Sequence, residues 1–155
     1  MIWKGEKDMA NVYRSAVIDA PADKVWALVR DFNGLPKWHP AIGTSEIEGN
    51  LPGDRVGCVR RFTLKAGGGL LREKLLTLSD SARELTYNIL VSPMPVANYV
   101  ATMRVTPITV GNRSFAEWWA EFDVTSGPEH VQVSDIGDNV FIAGFAAMNR
   151  KLAGK

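Results

Sequence analysis

Residues 134–152 read SDIGDNVFIAGFAAMNRKL, and in this stretch Ile136, Val140, Phe141, Phe145, Met148 and Leu152 fall along one stripe of a helix. Ser134 is the expected N-cap and Gly154 suits the C-cap, while Gly137 and Gly144 each weaken the helix by roughly 1 kcal/mol relative to alanine. At 1.5 Å per residue this helix is about 28 Å long, and no other helical stretch in the chain is long enough to cover a sheet. Whatever precedes it must therefore present an apolar face for it to cover.

Upstream the rhythm has period two. Runs rich in β-branched and aromatic residues occupy 44–48, 55–65, 70–78, 84–91, 97–107 and 113–124. Turn chemistry separates them: NLPGD at 50–54, AGGG at 66–69, SDS at 79–81, SPMP at 92–95 and GN at 111–112. Six consecutive strands on short turns make an antiparallel meander. Ahead of them, 11–19 alternates as a first strand and Ala20-Pro21 stops it, since proline lacks an amide donor. Residues 22–30 place Val25, Trp26, Leu28 and Val29 at helical spacing, and 32–38 adds a further short helix that His39-Pro40 breaks. The order predicts an α+β domain in which a curved seven-stranded antiparallel sheet wraps the long C-terminal helix, with two short helices after strand 1. A sheet curled around one helix leaves a cavity wherever side chains do not fill the gap.

A chain of 155 residues, 46% hydrophobic and 23% charged, has the composition of one ordinary globular domain. The domain is expected over 11–155, after a flexible extension at 1–10 in which Met9 is an alternative start. A net charge of +1 with scattered Lys and Arg argues against nucleic acid as a partner. No apolar run reaches the length of a membrane span, so no membrane insertion is expected. Cys58 is the single cysteine, which precludes an intramolecular disulfide and leaves no zinc cluster. The expected compartment is the cytoplasm, the expected cofactor none, and the expected state a monomer or homodimer.

The opening Ile18-Asp19-Ala20-Pro21-Ala22-Asp23-Lys24-Val25-Trp26, the step from Phe32 to Trp38 and the Phe-rich terminal helix together resemble the START-related SRPBCC superfamily. Polyketide cyclase/dehydrase-like proteins, birch-allergen relatives and lipid-transfer domains belong to that group, and the resemblance covers residues 11–152. It implies the helix-grip fold. Gly57-Cys58-Val59-Arg60-Arg61-Phe62, Arg72-Glu73-Lys74-Leu75, Asn98-Tyr99 and Asn149-Arg150-Lys151-Leu152 are similar to the plant abscisic-acid receptors. The glycine loop at 67–69 and the Pro93-Met94-Pro95 loop resemble those receptors' lids in position but not in sequence, so hormone sensing is not carried over.

The resemblance implies a concave face formed by Arg60, Phe62 and Leu64, by Leu71 and Glu73, by Tyr87 and Ile89, by Tyr99, Ala101 and Met103, and by Glu117 opposite Phe141, Phe145 and Asn149. Period two agrees within each strand, yet a one-residue slip would exchange Glu117 and Trp119 for Trp118 and Ala120. Trp118-Trp119 is a candidate bulge. Two carboxylates facing an apolar cavity would have raised pKa values, which suits Glu73 or Glu117 to general acid/base work. The alternative is that Arg60 neutralises one carboxylate and water meets the other at the mouth. His39 stands where the plant receptors carry a lysine that anchors a ligand carboxylate; it either binds an acidic group or caps the turn before Pro40. His130 is expected in solvent.

Three functions fit. The chain binds or carries a small hydrophobic molecule such as a lipid, polyketide or aromatic metabolite; or it is a cofactor-free cyclase/dehydratase-type enzyme using Glu73 or Glu117; or it is an interaction module that dimerises or docks through its sheet, by way of an outward tryptophan.

Overall fold

The computed structural model of the protein describes residues 9–153. The first strand, β1 (Ala10–Ile18), ends where Pro21, at φ −59°, turns the chain into α1 (Ala22–Arg30). That helix buries Ala22, Val25, Trp26 and Val29. Asp80 accepts bonds from Trp26 Nε1 (2.8 Å) and Arg30 Nε (2.8 Å), which ties α1 to the turn after β4. A 3-10 helix over Phe32–Lys37 follows. Six further strands complete the meander: β2 (Ile42–Ile47), β3 (Val59–Leu64), β4 (Leu70–Ser79), β5 (Glu84–Val91), β6 (Val96–Ile108) and β7 (Arg113–Val124). They form one antiparallel seven-stranded sheet in the order β1-β7-β6-β5-β4-β3-β2, because β1 pairs with the last strand rather than with β2.

The C-terminal helix begins earlier than its apolar stripe indicates. It comprises α2 (Glu129–Ser134), a π-helical stretch (Asp135–Ile142) and α3 (Ala143–Leu152). Ser134, the expected N-cap, is helical at φ −64° and ψ −45°, and Pro128 precedes the first turn instead. Proline followed by an acidic residue is a helix-start signal that the weakly apolar 129–133 segment obscured. Gly154 lies outside the described residues, as does most of the 1–10 extension; Ala10, by contrast, is a buried strand residue.

One of the two helix glycines has a packing reason that outweighs its propensity. A Cβ on Gly144 would stand 3.0 Å from Trp118, 3.2 Å from His39 and 3.2 Å from Trp38, so only glycine lets α3 approach this aromatic group so closely. Between the sheet and the helix, Trp118, Phe122, Phe141, Phe145 and Met148 are fully buried in one core cluster. Residues of β3, β4 and β5 line a cavity on the same side.

The expected bulge at Trp118-Trp119 is absent. Strand β7 pairs with β1 without interruption from Ser114 to Phe122, and the irregularity sits on β6 between Ala97 and Val100, where Asn98 has φ +52°. Asparagine tolerates this left-handed conformation better than most residues.

Candidate functional site

Alternation on β3, β4 and β5 turns Arg60, Phe62 and Leu64, Leu71 and Glu73, and Tyr87 and Ile89 to the concave side. With Tyr99 and Trp118 they line a cavity of about 210 Å³. Leu35, His39, Ala41 and Ile42 close one side, Met94 reaches in from the β5–β6 loop, and Asp135, Ile136, Asn139 and Val140 form the helical wall. The β3–β4 and β5–β6 loops lie close together: a Cβ on Gly69 (φ +106°) would stand 3.2 Å from the Pro93 ring.

At the base lies a buried ion pair. Arg60 Nε donates to Glu73 Oε1 at 2.9 Å and Nη2 lies 2.7 Å from the same oxygen, the two side chains being 6% and 5% exposed. Arg60 Nη1 donates to the Phe32 carbonyl at 2.8 Å, and the guanidinium carbon sits 3.9 Å from the centre of the Phe32 ring. Both contacts with the carboxylate fall on Oε1, so among the described residues Oε2 takes no hydrogen bond. Burial pushes the Glu73 carboxyl above its usual range, and Arg60 opposes that rise. Tyr87 accepts a bond from Trp118 Nε1 at 3.1 Å, and burial raises the pKa of both Tyr87 and Tyr99. Of the alternatives open for Glu73, neutralisation by Arg60 is the one observed.

His39 is not a free cation. Its Nδ1 accepts the Ala41 backbone N–H (3.2 Å), which leaves the proton on Nε2, and Nε2 donates to the Val140 carbonyl in the π-helical stretch (2.8 Å). A backbone amide can only donate, so these two bonds select the neutral tautomer. Burial lowers the pKa of His39, the Val140 bond opposes this, and the charge of Arg60 adds to the lowering. Protonation therefore favours the unfolded chain: this contribution to stability is complete above about pH 6.5 and is lost as pH falls through the lower folded value. The urea midpoint is expected to fall between pH 7.5 and pH 5, and His39→Gln should show a shallower fall; parallel pH profiles for the two proteins would refute it.

Glu117 lies on the opposite, convex face. Tyr13 donates to its Oε2 at 2.6 Å and Arg104 Nε to its Oε1 at 3.1 Å, while Arg104 also sits 5.1 Å from the Trp119 ring centre. Burial acts to raise its pKa, but the bonds from Tyr13 and Arg104 outweigh it and the carboxyl lies below its usual range. The uninterrupted register accounts for this, since Trp118 faces inward opposite Met103 and its neighbours Glu117 and Trp119 must face outward. The expectation that Glu117 faces the cavity opposite the helix is thereby corrected.

Other expected residues stand apart from the cavity lining, all of them buried except Asn149, which is half-buried. Ala101 and Met103 lie on β6 opposite Ala120 and Trp118, and Phe141 stacks on Trp118 with ring centres 4.4 Å apart. Phe145 meets the same indole edge-on at 6.2 Å. These four belong to the filled half of the core. Asn149 clamps α3 to the end of β1, donating to Val17 O at 3.0 Å and accepting the Asp19 N–H at 2.9 Å. The helical residues that do reach the cavity lie one to two turns earlier, where Asp135 and Asn139 sit four apart and are bonded at 2.7 Å. Their spacing put them on one helix face with Ile136 and Val140; Ala41 and Met94, on loops, carried no periodic signal.

Similarity to known proteins agrees with the fold. A family model described as polyketide cyclase / dehydrase and lipid transport matches residues 9–155. The abscisic acid receptor PYL7 of Arabidopsis thaliana is 31% identical over 99 residues, which is 63% of this chain and 46% of the receptor, so the chain spans about half the length of that curated relative. The structure of XoxI from Bacillus cereus superposes with a TM-score of 0.82 at 29% identity, covering 94% of this chain and 97% of that one. A START superfamily protein from Mycobacterium smegmatis shares the fold, with a TM-score of 0.75 at 12% identity over 92% of this chain and 97% of the other. No helix among the described residues is long and apolar enough to cross a membrane.

Proposed function

The chain belongs to the polyketide cyclase / dehydrase and lipid transport family, and from that premise we propose that it holds one small hydrophobic molecule between the sheet and the C-terminal helix. The observation that carries this reading is the apolar cavity itself, with a polar pair, Arg60 and Glu73, in its wall rather than side chains packing it shut. At about 210 Å³ it is smaller than the roughly 300–1,000 Å³ of pockets for drug-sized ligands, which favours a compact ring over a long acyl chain. An apolar cavity of about 150 Å³ is already enough for benzene. Filling it is the direct test. Ile89→Trp should abolish the uptake of a hydrophobic probe, measured by native mass spectrometry, while leaving the circular dichroism spectrum unchanged; undiminished uptake by the folded variant would refute the pocket assignment.

One observation favours a second reading, a cofactor-free enzyme. Glu73 lines the cavity with an unbonded oxygen and a raised pKa, properties suited to moving a proton. With a ligand in hand, Glu73→Gln separates the two readings: an enzyme loses turnover and keeps binding, whereas undiminished turnover removes Glu73 from the chemistry.

A further inference from the structure

We propose that the molecule this cavity selects is a compact uncharged or protonated ring carrying an O–H or N–H donor for Glu73 Oε2, and that carboxylate ligands are turned away. The proposal rests on the hydrophobic-ligand reading above and adds the chemistry of the ligand to it.

Three independent features converge. The first is the unbonded oxygen. Arg60 contacts Oε1 alone, so Oε2 is left as an acceptor facing an apolar space. That oxygen faces the cavity without a protein donor, and a ligand that supplies an O–H or N–H satisfies it from inside the cavity, whereas one without a donor displaces solvent from it and leaves it unpaired. The second is the balance of charge. Two carboxylates, Glu73 and Asp135, line the cavity against a single guanidinium, and that guanidinium is already directed at Glu73 and at the Phe32 carbonyl. The third is His39, the other basic side chain in the lining, whose two ring nitrogens are both engaged in the neutral tautomer. A ligand carboxylate entering here would lose its hydration and find, among the described lining residues, no cation that is not already engaged. A phenol, alcohol or amine would lose less and gain a bond to the Glu73 carboxyl.

The test uses three single-ring probes of matched shape: toluene, p-cresol and p-toluate, titrated into the full-length protein at neutral pH with binding followed by NMR. We expect p-cresol to bind at least about ten-fold more tightly than toluene, the usual size of a hydrogen bond to a charged group, and p-toluate to bind more weakly than either. Glu73→Gln should compress the preference for p-cresol and relax the rejection of p-toluate. Should that variant fail to fold with Arg60 left unpaired, Arg60→Met/Glu73→Leu removes both charges and should bind toluene and p-cresol alike. Equal affinity of the wild type for toluene and p-cresol overturns the donor requirement while leaving the cavity reading intact. Tightest binding of p-toluate overturns the rejection of anions, and unchanged discrimination in the folded variants overturns the assignment to Glu73. Failure of all three probes to bind overturns the cavity reading itself, and this proposal with it.

Discussion

Replacing Arg60 by methionine is expected to lower the free energy of unfolding by about 3–5 kcal/mol, and the double replacement Arg60→Met/Glu73→Leu to recover most of that loss. The single change strands the Glu73 carboxylate in a site where its side chain is only 5% exposed, and it also removes the donor to the Phe32 carbonyl. The double change removes both desolvation costs and replaces the charges with apolar bulk in a wall that already contains Phe32, Phe62 and Tyr87. Urea unfolding of the three proteins at pH 7 measures it. If single and double variants lose equal stability, the cost lies in lost packing and cation–π contact rather than in an unpaired charge. Recovery by the double variant would also indicate that the pair is retained for something other than stability, which is what a ligand-facing carboxylate requires.

The second large effect is expected at the adjacent tryptophans, and it is asymmetric. Trp118→Ala should cost about 3–5 kcal/mol, the range for removing a large buried aromatic. Its indole stacks on Phe141, meets Phe145, Trp38 and His39, donates to Tyr87 and fills the close approach at Gly144. Trp119→Ala should cost only about 1 kcal/mol, because on the convex face that ring loses one exposed cation–π contact with Arg104 and its stacking on Tyr13, 6.4 Å between centres. Thermal unfolding with calorimetry gives both values in one series. Similar losses at the two positions would mean that β7 is offset by one residue from the register described above. An enlarged cavity in folded Trp118→Ala, seen as uptake of bulkier aromatic probes, would separately place the indole in the cavity wall.

The meander, the short helices after β1 and the covering helix were legible because each rests on a local signal: alternation, helical spacing, or a proline or glycine at a boundary. The inward set on β3, β4 and β5 followed from the same alternation once one member of each strand was placed. The acidic pair was not legible as a pair. Glu73 and Glu117 are both single carboxylates in alternating strands, and what distinguishes them is which side of the sheet their partners occupy: Arg60 from β3 beside the cavity for Glu73, Tyr13 from β1 and Arg104 from β6 on the convex face for Glu117. The helix was read correctly as amphipathic, but its most apolar stretch packs against the sheet, and the cavity opens beside the more polar turn at Asp135 and Asn139. Hydrophobicity marked the filled core rather than the space next to it.

By itself the sequence determined the kinds of element, their order and the alternation within each strand, since these depend on side chains a few residues apart. Tertiary structure alone decided which member of the Glu117-Trp118-Trp119 run faces the helix, where the sheet leaves the helix to make a cavity, and which tautomer His39 adopts. Each of these depends on a partner brought close only by folding: β1 and β6 on either side of β7, the aromatic contact at Gly144, and the Val140 carbonyl 101 positions along the chain from His39. A period of two fixes which residues share a face. It does not say which face is inside, because that is decided by the position of the covering helix and by the desolvation and pairing of the charged groups on either side.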